Sequence, residues 1–219
     1  MAFLENCLVM QRTRIKFCGI TRIQDMQLAV SLGVDAVGLV FASDSPRAVD
    51  VQQACTLISH CGPFVSVVGL FMDQDASTIK NIIKRVPLNM LQFHGCETES
   101  FCTGFGLPYL KSVAMGTSKD VNACLNDHAF KTASALLLDG NECGQPGGSG
   151  KIFDWSKVPA LSRPVIVAGG LDADNVISCI QQVNPYAVDV SSGIESAKGE
   201  KDMIKMRDFV QSVRIANER

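Results

Sequence analysis

Two residues able to move protons stand where apolar runs stop. Cys18 closes Ile15-Lys16-Phe17-Cys18 and is followed by Gly19 and a helix-start pattern, while Asp139 closes Ala135-Leu136-Leu137-Leu138 and is followed by Gly140. A thiol beside a helix N-terminus or a bound cation has its pKa drawn from about 8.5 toward neutrality, which suits proton abstraction. A carboxyl preceded by a wholly apolar run is costly to bury ionised, so its pKa rises and it suits proton donation. Each residue also has a plainer reading, a buried thiol and a loop-capping aspartate.

Around these sit residues suited to holding a small anionic ligand. Val165-Ile166-Val167-Ala168-Gly169-Gly170-Leu171-Asp172 and Ala187-Val188-Asp189-Val190-Ser191-Ser192-Gly193-Ile194-Glu195 are apolar runs that empty abruptly into small residues. Turns of this kind let backbone approach a ligand, and the N–H groups of the following helix start can hold an anion. Gly169, Gly170, Asp189, Ser191, Ser192 and Gly193 are therefore candidate contacts to a phosphate-bearing substrate. Arg47, in Ser43-Asp44-Ser45-Pro46-Arg47, could hold a carboxylate bidentately or lie solvated at the surface. His94, after Leu91-Gln92-Phe93, could hydrogen-bond substrate or be a satisfied structural histidine. The glycine-rich segment 140–150, which includes Gly148, reads as a mobile loop over the site. It is not a Walker A loop, because Ile152 follows Lys151 where Ser or Thr is required, and Gln145 stands in place of the opening glycine.

The elements that must position these residues alternate regularly. Strand-like runs are expected at 15–18, 36–41, 65–71, 90–93, 109–113, 135–138, 165–168 and 187–190. Helical patterns lie between them. Thr21-x-x-Gln24 matches a capping box, Met26, Ala29 and Val30 follow at helical spacing, and Gly33 suits a C-terminal cap. Ile79, Ile82, Ile83 and Val86 run into Pro87; Val176, Ile177, Ile180 and Val183 run into Asn184-Pro185; Met206, Phe209, Val210 and Val213 form a last apolar stripe. Eight strand–helix units with short links predict an α/β fold of one domain, a (β/α)8 TIM barrel over 1–219 with 1–12 as an N-terminal extension. In such a barrel the strand C-termini face the site, and phosphate commonly binds after the seventh and eighth strands.

Composition excludes several partners. The chain has 219 residues, 47% of them hydrophobic, with 20 Lys and Arg against 22 Asp and Glu scattered without runs. That is ample for one buried core and gives no electrostatic footprint for nucleic acid or an anionic membrane. No apolar run reaches membrane-spanning length, and Glu5 and Asn6 interrupt the apolar start, so neither anchor nor secretory signal is expected. Nine irregularly spaced cysteines without a C-x-x-C pair argue for a reducing cytoplasm rather than a disulfide framework, with Cys55 and Cys179 as small apolar groups. His60-Cys61 and His94-Gly95-Cys96 lack partners at ligand spacing, so no metal site is expected.

The segments KFCGIT, SPRAV, LQFHG, LLLDG with GGSGKIFDW, AGGL and DVSSGIE, in this order, closely resemble the phosphoribosylanthranilate isomerase family. The resemblance runs from about Arg14 onward; Phe93 and Cys96 stand where that family often has Leu and an acidic residue. It implies a barrel that converts N-(5-phosphoribosyl)anthranilate to 1-(2-carboxyphenylamino)-1-deoxyribulose 5-phosphate by an Amadori rearrangement, with no metal or organic cofactor. It also implies Cys18 as general base, Asp139 as general acid, Arg47 as the contact to the anthranilate carboxylate and the glycine-rich turns as the phosphate site. A monomer or weak homodimer acting on a small molecule is the expected form. The alternatives are another phosphosugar isomerase or epimerase barrel, in which the histidine-pathway enzyme would place Asp where Cys18 stands, and a non-catalytic phosphosugar-binding barrel.

Overall fold

The computed structural model describes residues 12–116, 125, 129–141, 152–159 and 161–218. Eight parallel strands close into a barrel in chain order: β1 (Arg14–Cys18), β2 (Ala36–Val40), β3 (Ser66–Phe71), β4 (Met90–Phe93), β5 (Tyr109–Ala114), β6 (Ala135–Asp139), β7 (Val165–Val167) and β8 (Ala187–Val190). Closure is made by β1 pairing with β8, Ile15 opposite Val188 and Lys16 opposite Asp189. Every apolar run expected to be a strand is one, because a parallel strand covered on both faces must be apolar along most of its length.

The described helices are α1 (Ile23–Leu32), α2 (Val51–Ile58), α3 (Ala76–Ile83), α4 (Glu99–Cys102), α5 (Val176–Val183) and α6 (Met203–Asn217). Asp50, Asp75, Thr98 and Asp202 cap four of them by accepting backbone N–H bonds, each cap being worth typically about 1 kcal/mol. The start of α1 corrects the expected capping box. Its N-cap is Arg22, with no side-chain cap, and the Thr21 hydroxyl instead donates to Gly199 O. Thr21 is drawn away by a small antiparallel hairpin, β9 (Glu195–Ala197) and β10 (Glu200–Lys201), that folds back after β8. Arg22 joins the same hairpin through Lys201 O while gripping the buried Asp25. Gly33 does end α1 in the left-handed conformation, at φ 77°, as expected.

Strand alternation makes two cores. One residue set points outward to the helices: Phe17 meets Phe209 of α6 edge-on at 6.2 Å, and Phe93 sits among Phe71, Phe101, Phe105 and Tyr109. Phe93 therefore fills an aromatic niche of its own. The other set fills the barrel lumen with Val68, Leu110, Leu137, Ile166, Ala168 and Ala187. Cys179 is fully buried, whereas Cys55 is half-buried. Parts of the stretches between β5 and β6 and between β6 and β7 lie outside the described residues, as do residues 1–11 and Gly148.

Phe209 is fully buried between α6 and β1, while Ile204 on the same helix is 67% exposed. Phe209→Ala is expected to cost about 3–5 kcal/mol, and Ile204→Ala within about 0.5 kcal/mol of nothing. Denaturant unfolding of both variants checks the layer assignment.

Candidate active site

The same alternation that buries Phe17 outward turns its neighbours Lys16 and Cys18 inward. Cys18, Gln92, His94, Asp139, Asp189 and Ser191 all line one cavity at the C-terminal mouth of the barrel. The two candidate proton-transfer residues thus share a site, delivered by β1 and β6.

Asp139 is 5% exposed. Its Oδ1 accepts from the backbone N–H of Asn141 at 3.1 Å, and its Oδ2 lies 3.5 Å from His94 Nε2. Burial pushes the Asp139 pKa up, opposed in part by His94 and by the Asn141 N–H. Burial also holds the His94 pKa down, against the pull of Asp139, so its ring is neutral at neutral pH. The Gln92 amide nitrogen lies 3.2 Å from His94 Nδ1. Donation from Gln92 leaves the ring proton on Nε2, facing Asp139. The loop carrying His94 is fastened from behind by a buried ammonium: Lys111 Nζ donates to Gly95 O at 2.6 Å and to Glu97 Oε2 at 2.8 Å.

Cys18 is 6% exposed and sits opposite Gly38 of β2. Burial raises the thiol pKa, as does Asp189, while Lys16 and Lys201 pull it down; the net shift is upward. Lys16 donates to Asp189 Oδ1 at 2.9 Å, so the inward-facing Asp189 is engaged by a partner on the adjacent strand.

Gly169 and Gly170 follow β7 with φ of 81° and 65°. A Cβ on Gly169 would stand 2.4 Å from Gly140 N and 2.9 Å from Asp139 Oδ1, so only glycine lets this turn lie against the acid. After β8 the chain makes a single 3-10 turn, Ser192–Ile194. Ser191 and Ser192 join the two glycines in lining the cavity. Gly193 lies behind them, where a Cβ would come 1.9 Å from Leu171 O. The turns after β7 and β8 are therefore packed backbone to backbone, forming one rim.

Arg47 lines the cavity from the loop after β2. Its bidentate carboxylate partner here is the chain's own Glu195, with Nε 2.7 Å from Oε1 and Nη2 2.8 Å from Oε2. Lys201 reaches the same carboxylate at 2.9 Å and donates to Ser191 O at 3.0 Å. Burial would raise the Glu195 pKa, but Arg47 and Lys201 hold it below the usual carboxylate range. Lys16, Glu195 and Lys201 were not singled out from the sequence. The signal for Lys16 was a lone cation inside an apolar strand, at a position whose neighbour across the barrel seam is an aspartate. Among the described residues, no grouping of His, Cys, Asp and Glu could hold a metal ion.

Comparison with known proteins now bears on this arrangement. The family model for N-(5'phosphoribosyl)anthranilate (PRA) isomerase matches residues 15–212. The chain belongs to the phosphoribosylanthranilate isomerase family. The N-(5'-phosphoribosyl)anthranilate isomerase of Pseudomonas fluorescens is 50% identical over 211 residues, covering 95% of this chain and 99% of that one. Among solved structures, the phosphoribosylanthranilate isomerase of Thermotoga maritima superposes with a TM-score of 0.83 at 35% identity, covering 92% of this chain and 98% of that one. A phosphoribosylanthranilate isomerase in complex with reduced 1-(o-carboxyphenylamino)-1-deoxyribulose 5-phosphate superposes with a TM-score of 0.80 at 33% identity, with coverage of 92% and 98%.

In this member of the isomerase family, Glu195 is the carboxylate that neutralises two buried cations at the rim. Because its folded-state pKa is depressed, its contribution to stability is present above the unfolded value of about 4.3 and is lost as pH falls through the folded value. Glu195→Gln is expected to cost about 3–5 kcal/mol at pH 7 by leaving both cations uncompensated. The gap to wild type should narrow as the medium is acidified, which unfolding curves across pH measure.

Proposed function

We propose that this chain isomerises N-(5-phosphoribosyl)anthranilate to 1-(2-carboxyphenylamino)-1-deoxyribulose 5-phosphate, with Asp139 as general acid and Cys18 as general base. The observation that carries this reading is that both groups line one cavity whose rim is the pair of small-residue turns after β7 and β8. Those turns bind the phosphate through Gly169, Gly170, Ser191 and Ser192, with Gly193 shaping them from behind. Phosphate binding energy then fixes the sugar between acid and base.

Burial raises the Asp139 pKa and so favours the protonated form that a donor needs. It gives its proton to the ribose ring oxygen as the C1–O bond breaks and the nitrogen lone pair forms a C1=N cation. The C2 proton, now acidic, passes to the Cys18 sulfur, and its electron pair forms a C1=C2 bond while nitrogen regains its lone pair. The resulting enolamine loses its hydroxyl proton and gains one at C1, giving the ketone. Protons taken up and released balance over the cycle, so the reaction needs no redox partner. His94 donates toward Asp139 and steadies the carboxylate left after proton transfer. Arg47, braced by Glu195, receives the anthranilate carboxylate at the other flank of the cavity.

No described helix is long and apolar enough to cross a membrane. Cysteine usage supports a cytoplasmic setting, and we take the working form to be one barrel domain, as a monomer or weak homodimer.

Pure protein mixed with freshly made phosphoribosylanthranilate should quench that substrate's fluorescence. Cys18→Ala and Asp139→Asn should each slow turnover about 10²–10⁴-fold while unfolding at near wild-type denaturant concentrations; near-normal turnover in either overturns its role. Arg47→Ala should raise KM about tenfold to a hundredfold with a smaller change in kcat. An unchanged KM would remove Arg47 from substrate binding.

A further inference from the structure

We propose that Lys16 is the positioning residue that makes Cys18 a competent base: its ammonium, held by Asp189 beneath the site, is the main charge drawing the sulfur toward the thiolate form against its burial. The inference rests on the reading of Cys18 as base and adds the group that makes that role chemically workable.

Lys16 and Cys18 are two apart on β1 and therefore share the inward face. Both crowd the same small space beside Gly38: a Cβ there would stand 2.9 Å from Cys18 Sγ and 3.3 Å from Lys16 Nζ. Glycine at 38 is thus what allows ammonium and sulfur to approach. Lys16 is 3% exposed and does not line the mouth cavity; it lines a hollow at the opposite, N-terminal end of the barrel. It acts on the sulfur from below, and the substrate does not meet it.

A buried ion pair is a poor way to stabilise a lumen, since well-packed apolar residues of similar volume are often as good or better. The neighbouring lumen positions follow that rule, being Val68, Leu110, Leu137 and Ile166. The Lys16–Asp189 pair departs from it next to the sulfur proposed as the base. Burial opposes the Lys16 ammonium, but Asp189 and the Cys18 sulfur itself both favour it, so the lysine pKa lies above its ordinary value and the sulfur remains a counter-charge when Asp189 is removed. The charged groups facing the sulfur are Lys16 on its own strand, Asp189 on β8, Lys201 on β10 and Arg47 after β2. Arg47 and Lys201 are committed to Glu195, and Lys201 also to Ser191. Lys16 makes the largest cationic contribution to the thiol's pKa, opposing the burial that raises it.

The test is the pH dependence of Cys18 alkylation by iodoacetamide in the full chain, followed by peptide mass spectrometry so that the other thiols do not interfere. Lys16→Met should move the midpoint up by at least one pH unit, making alkylation about tenfold slower below it. Asp189→Asn should move the midpoint down, because the charge opposing the thiolate is gone. The opposite signs separate this role from a structural one, in which loss of either partner would perturb the thiol alike. Lys16→Met is also expected to lower kcat about tenfold or more with KM changed less than twofold. Should Lys16→Met fail to fold, Lys16→Met/Asp189→Asn removes both charges and should still move the midpoint up. An unmoved midpoint in the folded Lys16 variants, or shifts of the same sign in Lys16→Met and Asp189→Asn, overturns the proposal. Full turnover by Cys18→Ala together with the two opposite shifts would overturn the base role while leaving the lysine's effect on the thiol intact.

Discussion

Closure of the β1–β8 seam is the constraint from which the rest follows. Once Ile15 stands opposite Val188 and Lys16 opposite Asp189, the alternation of side chains around the ring is fixed. A slip of one residue would send Phe17 into the lumen and Cys18 to the helices. The helix layer prevents this, because Phe17 is fully buried against Phe209. Packing on the outside of the barrel therefore decides which chemistry is displayed inside it.

Charge sets the second constraint. The lumen and rim hold Lys16, Asp139, Asp189, Glu195 and Lys201 with little exposure. Most are matched to a counter-charge, Lys16 to Asp189 and Glu195 to both Arg47 and Lys201. Asp139 is the exception, facing a histidine that burial keeps neutral. The acid without a full counter-charge is the one whose pKa burial raises, whereas the matched Glu195 is held below the usual carboxylate range.

The barrel was readable because each strand is a mostly apolar run and the longer helices carry a stripe, as Met206, Phe209, Val210 and Val213 illustrate. Cys18 and Asp139 stand out as candidates because barrel topology turns the last residue of a strand toward the mouth, and both do line the cavity there. The start of α1 misled, since Thr21 and Gln24 satisfy a local rule while the Thr21 hydroxyl is claimed by Gly199, which lies 178 residues away in sequence. Glu195 and Lys201 were illegible for a related reason. Their partners come from a distant loop and from a short hairpin whose strands are too brief to show a pattern. Arg47 reads in the sequence as able to hold a carboxylate bidentately, and the one it holds here is the chain's own Glu195, which one sequence could not show.

The contact of Gly193 with the Leu171 carbonyl makes the rim a coupled object. Neither turn can swing outward alone without opening a gap in the other's floor, so the rim loosens as a whole or not at all. Its shape is written in main chain rather than in side chains. Sequence drift on the barrel's exterior can then proceed freely while the rim keeps its dimensions, provided the small residues stay small.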